Sequence, residues 1–449
     1  MPVGRTTDMP QVDGEPAAEA GMGLSSQSRR DVRRRVLAGR LPTLWLFAAA
    51  LIVRLLFNIY VIGLDIPTQD TFSDWKEYDL VGLSLASGTG FTIYGMPYLI
   101  HPPGYPLFLG LLYLLFGHSY AAVKVAQSLL GALTCVIILL IGERVFTKRV
   151  GMVAAAIAAV YPHLVYYSGI LMSETLFVFL STVFLYALAM LREDLSPRRL
   201  ALAGVVLGLA SLTRPMLMFI PAVLFCWIWI EFRSTKRALV VMATIWLWMA
   251  IVILPWTIRN YVVTGSVIPI VATHWVTLYG ANNLIILNNP DAIGGWVDPE
   301  PMSSEAYRAA YVAFLSQMLF HRPFDLVKLA VHKLKRFWSL FPKTQTPERD
   351  ALINLLSYGW LLPLFLVGMA LAVRVPPTPW ILYLWVAYFC LLTLVMHGTT
   401  RYRLPVEPVI ILFAAFTLER LWDRTGLGQR LQDRRNRPSL SSFTTGLGP

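Results

Sequence analysis

Apolar runs long enough to cross a bilayer recur along this chain, and they constrain its fold more than any other feature. A helix of 18 or more such residues spans roughly 30 Å of hydrocarbon. Hydrophobic residues make up 56% of the 449 and charged residues 14%, and the mean hydropathy is +0.58. A soluble globular chain carries about 25% charged residues. The fold class is therefore all-α: a polytopic membrane helix bundle. The net charge of +12 is read with the membrane in mind. Many of the basic residues fall in tails and short loops, where they set topology, so no nucleic-acid partner is expected. Cys135, Cys226 and Cys390 all lie inside apolar runs without metal-ligand spacing and read as small buried side chains.

About ten spans are expected. Residues 1–40 form a disordered basic tail ending in Arg29-Arg30 and Arg33-Arg34-Arg35. A membrane module covers 41–260, with spans near 41–62, 121–142, 150–169, 174–191, 200–213, 216–232 and 238–258. Its first loop, 63–104, is polar and turn-rich, and Tyr105 to Phe116 is too short to cross. Residues 261–350 read as a small extracytoplasmic cap. There Phe314, Leu315, Met318 and Leu319, then Leu326, Leu329, Ala330 and Leu334, recur at helical spacing. Lys333, Lys335 and Arg336 with Phe337-Trp338 suit a membrane interface. Spans near 351–373, 380–397 and 404–421 complete the bundle as module 351–421. Residues 422–449 are a second disordered basic tail.

Arg and Lys follow the second, fourth, sixth and eighth spans. The excess of positive charge on cytoplasmic loops then puts both termini in the cytoplasm and the protein in the cytoplasmic membrane. The same parity places the 63–104 loop, the 261–350 segment and the turns holding Glu174, Arg214 and Arg401 together on the outer face.

Among the loop acids Asp65, Asp70, Asp74, Glu77 and Asp79, Asp74 stands out. It precedes Leu80 to Gly88, which can form an amphipathic helix lying on the membrane. A carboxylate held at that surface can accept a proton from a hydroxyl; a solvated loop acid is the plainer reading, and it is the one taken for Asp70 and Asp79. Glu174 follows Met172-Ser173 at an outer helix start, where the helix dipole favours an acid. Its apolar flanks equally suit a group facing the bundle interior. Arg54 lies inside the first span, where an arginine is costly and faces a cavity or an anion. Arg214, Arg259-Asn260, and Arg401-Tyr402-Arg403 lie at outer helix ends. Snorkelling would explain each, yet the set runs against the inside bias of positive charge. A phosphate ligand explains it, because guanidinium forks bind phosphate oxygens bidentately. Arg214, Arg259 and Arg401 are expected to converge on one phosphate-sized pocket. The seven histidines form no metal-ligand motif, so no metal site is assigned. No nucleotide-binding loop is present.

Asp74 with Tyr78, His101-Pro102-Pro103-Gly104-Tyr105, Tyr161-Pro162, Ser173-Glu174, Leu212-Thr213-Arg214-Pro215, and Pro255-Trp256-Thr257-Ile258-Arg259-Asn260-Tyr261 occur in this order. The set resembles the C-type integral membrane glycosyltransferases, in the bacterial branch related to protein mannosyltransferases and the lipid A aminoarabinose transferase. The resemblance runs from about 41 to about 420. It implies a polyprenyl-phosphate sugar donor used on the outer face. It implies Asp74 as first-loop catalytic acid/base and Glu174 as the acid of the second outer turn. It implies that the outer arginines contact the carrier phosphate. The substrate-binding set is taken as Arg54, Tyr78, His101, Tyr105, Arg214, Arg259, Asn260, Arg401 and Arg403. The aminoarabinose branch carries Glu-Lys before the first-loop proline, where this chain has Ile100-His101. A metal site using that glutamate is not carried over, and a divalent cation stays an open cofactor. The family's soluble periplasmic domain is expected to be absent. The acceptor, whether glycan, lipid or protein of the envelope, is unspecified.

The leading expectation is an inverting glycosyltransferase with Asp74 as general base. A lipid-linked sugar transporter or flippase is the alternative, since ten spans with intramembrane charge suit it. Against it, the halves do not repeat. A polysaccharide polymerase or ligase would be expected to use a lipid diphosphate and a large outer loop late in the chain; the acidic cluster after the first span favours the leading reading.

Overall fold

A computed structural model describes residues 26–67, 74–289, 302–341 and 347–425. The molecule divides into two units, residues 1–45 and 46–449, and everything functional below lies in the second. The described residues are mostly helical. In chain order the helices are α1 (Ser26–Phe57), α2 (Asp74–Ala86), α3 (Gly104–Phe116), α4 (Tyr120–Val145), α5 (Lys148–Val160), α6 (Pro162–Tyr166), α7 (Glu174–Leu191), α8 (Pro197–Thr213), α9 (Ile220–Phe232) and α10 (Thr235–Thr264). The chain continues with α11 (His274–Ala281), α12 (Leu284–Asn288), α13 (Ser304–His321), α14 (Pro323–Phe337), α15 (Pro347–Asn354), α16 (Leu361–Ala372), α17 (Trp380–Val395) and α18 (Glu407–Arg424). One antiparallel pair, β1 (Thr92–Ile93) and β2 (Met96–Pro97), forms a small hairpin in the first loop.

Local sequence explains several boundaries. Ser119, Thr147, Ser234 and Ser303 each accept a hydrogen bond from the backbone N–H three residues on, at 3.1–3.3 Å, and so cap α4, α5, α10 and α13. Pro197 and Pro323 open α8 and α14, where the missing N–H costs nothing. Helix α1 starts at Ser26, ahead of the expected first span near residue 41. Arg, Leu and Ala are strong helix formers, so the apolar span propagates back into the basic stretch. The C-terminal tail beyond residue 425 lies outside the described residues.

Six helices among the described residues are long and apolar enough to cross a membrane. A bent pair, Lys148–Val160 with Pro162–Gly169, brings the number to seven. The expected ten is not confirmed by this criterion. The expected fifth and ninth spans coincide with α8 and α17, which have only 17 and 16 residues. The expected tenth, α18, carries Glu407, Glu419, Arg420, Asp423 and Arg424. The expected third span is the bent pair, broken at Tyr161-Pro162 by 54°.

The core joins α4, α5, α7 to α10 and α16 to α18. Helix α18 is its axis, with every residue from Glu407 to Thr417 buried. A helix apolar all round belongs in such a position. Cys135 is buried as expected, but Cys226 on α9 is exposed, because its face of the helix points away from the bundle. Phe337 and Trp338, expected at a membrane interface, instead join this core, and Lys333 is buried beside them. A separate small cluster of Ile286, Phe314, Met318 and Leu329 holds α12, α13 and α14 together.

A candidate carboxylate and arginine site at one end of the bundle

Asp74 is the first residue of α2 and does not precede a helix beginning at Leu80. Its carboxylate sits in the first turn, where the helix dipole favours negative charge. Helix α2 is pinned on α3 through Tyr78, Tyr105, Leu109 and Tyr113. The start of α3 is in turn seated on the end of α8. A Cβ at Gly104 would lie 2.6 Å from Thr213 Oγ1 and 2.9 Å from the Leu212 carbonyl oxygen. Only glycine permits this approach, which brings His101-Pro102-Pro103-Gly104 against the residues just before Arg214. Gly104→Ala is expected to destabilise the protein by about 1–3 kcal/mol through this overpacking, read as a lower melting temperature of the purified chain.

Four side chains from four segments meet here. Arg214, ending α8, donates to Glu174 Oε1 at 2.5 Å. Arg401, in the turn between α17 and α18, donates through Nε to the same oxygen. Its Nη1 and Nη2 both reach Asp74 Oδ2 at 3.3 Å. Burial works against the charge on Arg401, but Glu174 and Asp74 outweigh it and hold the guanidinium well above its ordinary pKa. The two acids differ in access. The Glu174 side chain is 2% exposed and that of Asp74 30%. Glu174 thus anchors two arginines from inside, and Asp74 presents a carboxylate at the surface of the same cluster.

His101 adds a second layer. Its Nε2 lies 3.0 Å from Glu77 Oε2 and 4.0 Å from Asp74 Oδ1. The Tyr98 hydroxyl donates to the same Glu77 oxygen. The His101 bond, and after the opposing effect of burial the Tyr98 bond, hold the Glu77 carboxyl below its ordinary range. Tyr78 packs its ring 4.7 Å from the His101 ring. Burial and the nearby Asp74 push its hydroxyl up to about 12, so it stays protonated at neutral pH. Tyr105 is fully buried and donates to Gln127 Oε1 at 2.8 Å.

The expected convergence of three arginines is corrected to two. Arg259 donates to the carbonyls of Tyr98 at 3.0 Å and Phe91 at 2.9 Å and lies over the Phe91 and Trp256 rings. It ties the end of α10 to the first loop. Asn260 holds the Ile268 and Ile270 carbonyls. Arg54 is buried on the carbonyls of Ala50, Ala158 and Ala159. Its Nε and Glu174 Oε2 are buried without a partner among the described residues, and both residues border one cavity of about 10 Å³, room on the scale of one water. Arg403 is fully buried, bonded to Glu407 Oε1 at 2.8 Å and to Asn354 Oδ1 at 2.8 Å, with its guanidinium 3.8 Å over the Tyr358 ring. All three arginines are thus held by partners outside the cluster of Asp74, Glu174, Arg214 and Arg401. Asp79 is also not a solvated loop acid: it is buried and accepts from Tyr113 at 2.6 Å, beside His118 and Tyr120. Asp70 lies outside the described residues.

Sequence reasoning passed over Glu77 as one acid among five and did not single out Glu407. The i,i+4 spacing of Arg403 and Glu407 at the start of an apolar run was the signal for the second. Among the described residues no group of three or more His, Cys, Asp or Glu side chains is arranged to hold a metal ion.

This architecture is similar, as a fold, to that of two solved membrane proteins. Residues 100–258 match the family of dolichyl-phosphate-mannose-protein mannosyltransferases, a stretch that runs from just before His101 to just before Arg259. Among solved structures the chain is similar to the oligosaccharyltransferase AglB of Archaeoglobus fulgidus, with TM-score 0.55 and 16% identity, over 89% of this chain and 53% of that one. It is also similar to ArnT of Cupriavidus metallidurans, with TM-score 0.53 and 15% identity, over 88% of this chain and 63% of that one. The chain thus spans about half the length of the archaeal protein. No curated protein matches the sequence.

Proposed function

We propose that this protein transfers a sugar from a polyprenyl-phosphate carrier to an envelope acceptor at the outer face of the cytoplasmic membrane. The observation that carries the reading is Arg401, which bridges a surface carboxylate, Asp74, and a buried one, Glu174. The matched family is named for dolichyl-phosphate mannose, and the archaeal relative was solved with dolichol-phosphate. Both support a lipid phosphate as ligand.

In this reading the carrier phosphate meets Arg401 and Arg214, whose forks match its oxygens. Engaging Arg401 draws it from Asp74 and frees that carboxylate. An acceptor hydroxyl attacks the anomeric carbon as Asp74 takes its proton. The bond between that carbon and the phosphate oxygen breaks, and the phosphate leaves with the electron pair. Charge grows on the leaving oxygen, so the arginines bind the transition state more tightly than the ground state. Glu174 serves as the positioning group that keeps both arginines aimed. His101, oriented by Glu77, stands beside Asp74 within reach of the acceptor.

The test is transfer by the purified full chain, with radiolabelled polyprenyl-phosphate mannose as the first probe and envelope lipids, glycans and peptides as acceptors. A labelled covalent product is the expected result. Movement of the lipid-linked sugar across vesicles without any product would establish the transporter reading instead.

A further inference from the structure

We propose that Lys333 is a positioning residue for Arg401, acting through the strap of chain from Leu394 to Arg403. This rests on Arg401 being the phosphate ligand of the proposed reaction. Lys333 lies on α14. Its ammonium donates to Asn282 Oδ1 at 2.6 Å and to the Leu394 carbonyl at 3.1 Å. Asn282 in turn donates from Nδ2 to the Val395 carbonyl at 2.9 Å. The two side chains together grip the last two residues of α17.

The strap then runs directly along α14. A Cβ at Gly398 would lie 2.1 Å from the Lys333 carbonyl oxygen, so at this point backbone rests on backbone. Thr399 Oγ1 accepts from the Arg401 N–H at 3.2 Å and starts the tight turn that presents Arg401. Beyond it, Arg403 donates to the carbonyls of Phe337 and Ser339 at 3.2 and 3.4 Å, at the end of the same helix. Helix α14 therefore holds the strap on both sides of Arg401, leaving its guanidinium to span Asp74 and Glu174.

The choice of lysine at this place points the same way. Lys333 is buried, and no carboxylate among the described residues pairs with it. Burial alone lowers its amine to about 7. A buried ammonium without a counterion is a poor way to fill space. It is a good way to hold a side-chain amide and a helix-end carbonyl at once, since a lysine carries three donors on a long stem. On the strap, burial and then the charges of Lys333, Arg401, Arg336 and Arg214 hold the His397 ring neutral, down to about 3.

The experiment uses the full chain in nanodiscs and farnesyl phosphate as a soluble carrier probe. Lys333→Met keeps the length and apolar stem but removes every donor. It should weaken probe binding about tenfold, with the folded fraction unchanged. Gly398→Ala, which lifts the strap from outside, should do the same and decides the matter if the first variant does not fold. Arg401→Ala is the control. If Arg401→Ala weakens binding while Lys333→Met and Gly398→Ala bind as wild type does, the positioning role is overturned and the site reading stands. If Arg401→Ala also binds normally, the site reading itself has failed. A loss of folded protein with normal affinity in what remains would mean that Lys333 only supports the fold, which also overturns the proposal.

Discussion

Asp74→Asn is expected to slow sugar transfer by about 10²–10⁴-fold while the chain folds and binds the carrier phosphate as before. Asparagine keeps the shape of the side chain and one oxygen for Arg401, but it has no basic site for the acceptor proton. The partial exposure of Asp74 makes it the reachable acid of the cluster, since Glu174 is closed in beneath Arg401 and Arg214. Asp70→Asn is a suitable control and should stay within several-fold of wild type. Asp79→Asn is not, because Asp79 is buried on two tyrosines and His118 and its loss would disturb how α2 sits. Single-turnover rates with a labelled donor would measure the effect. If the Asp74 variant transfers sugar at a near-normal rate, the base is another group, and His101 held by Glu77 is the next to replace.

Arg401→Ala is expected to damage both binding and stability. The guanidinium is the only group seen to touch both Asp74 and Glu174 among the described residues. Removing it leaves Glu174, already with one oxygen unpartnered, supported by Arg214. Breaking one side of a buried ion pair costs about 3–5 kcal/mol, so a clearly lowered melting temperature should accompany the loss of donor affinity. Arg401→Lys separates the two effects. A lysine keeps the charge but is a point donor and not a planar fork; it should recover much of the stability and little of the rate. A variant that matches wild type in KM for the lipid donor would remove Arg401 from the phosphate site.

How much of this was legible beforehand differs from residue to residue. Asp74, Glu174, Arg214 and Arg401 are single polar residues at the ends of apolar runs. Such positions stand out because each is costly near hydrocarbon unless it has a partner. Their common end of the bundle followed from span parity. Arg54, Arg259 and Arg403 carry the same signal, yet the structure spends them on backbone carbonyls and on Glu407. A guanidinium seeking a phosphate and one tying down a loop look alike in a sequence, because both sit at helix ends among apolar residues. Lys333 illustrates the opposite error. Among Lys335, Arg336, Phe337 and Trp338 it read as part of a membrane interface, but α14 turns that face into the core.

The sequence by itself determined the class of fold, since repeated apolar stretches leave a helix bundle in a membrane as the way to satisfy the backbone. It also determined that acids and arginines stand at the helix ends. The number of helices that fully cross was beyond it, because helices of 16 and 17 residues sit at the length where crossing and partial insertion cannot be told apart by composition. Only the tertiary structure decided which arginine faces which acid. That choice depends on contacts between residues far apart in the chain: Gly104 seated on Thr213, Arg401 reaching Asp74 across 327 positions, and Lys333 gripping the end of α17. Pairings of this kind follow from how whole helices pack, and no local pattern of residues encodes them.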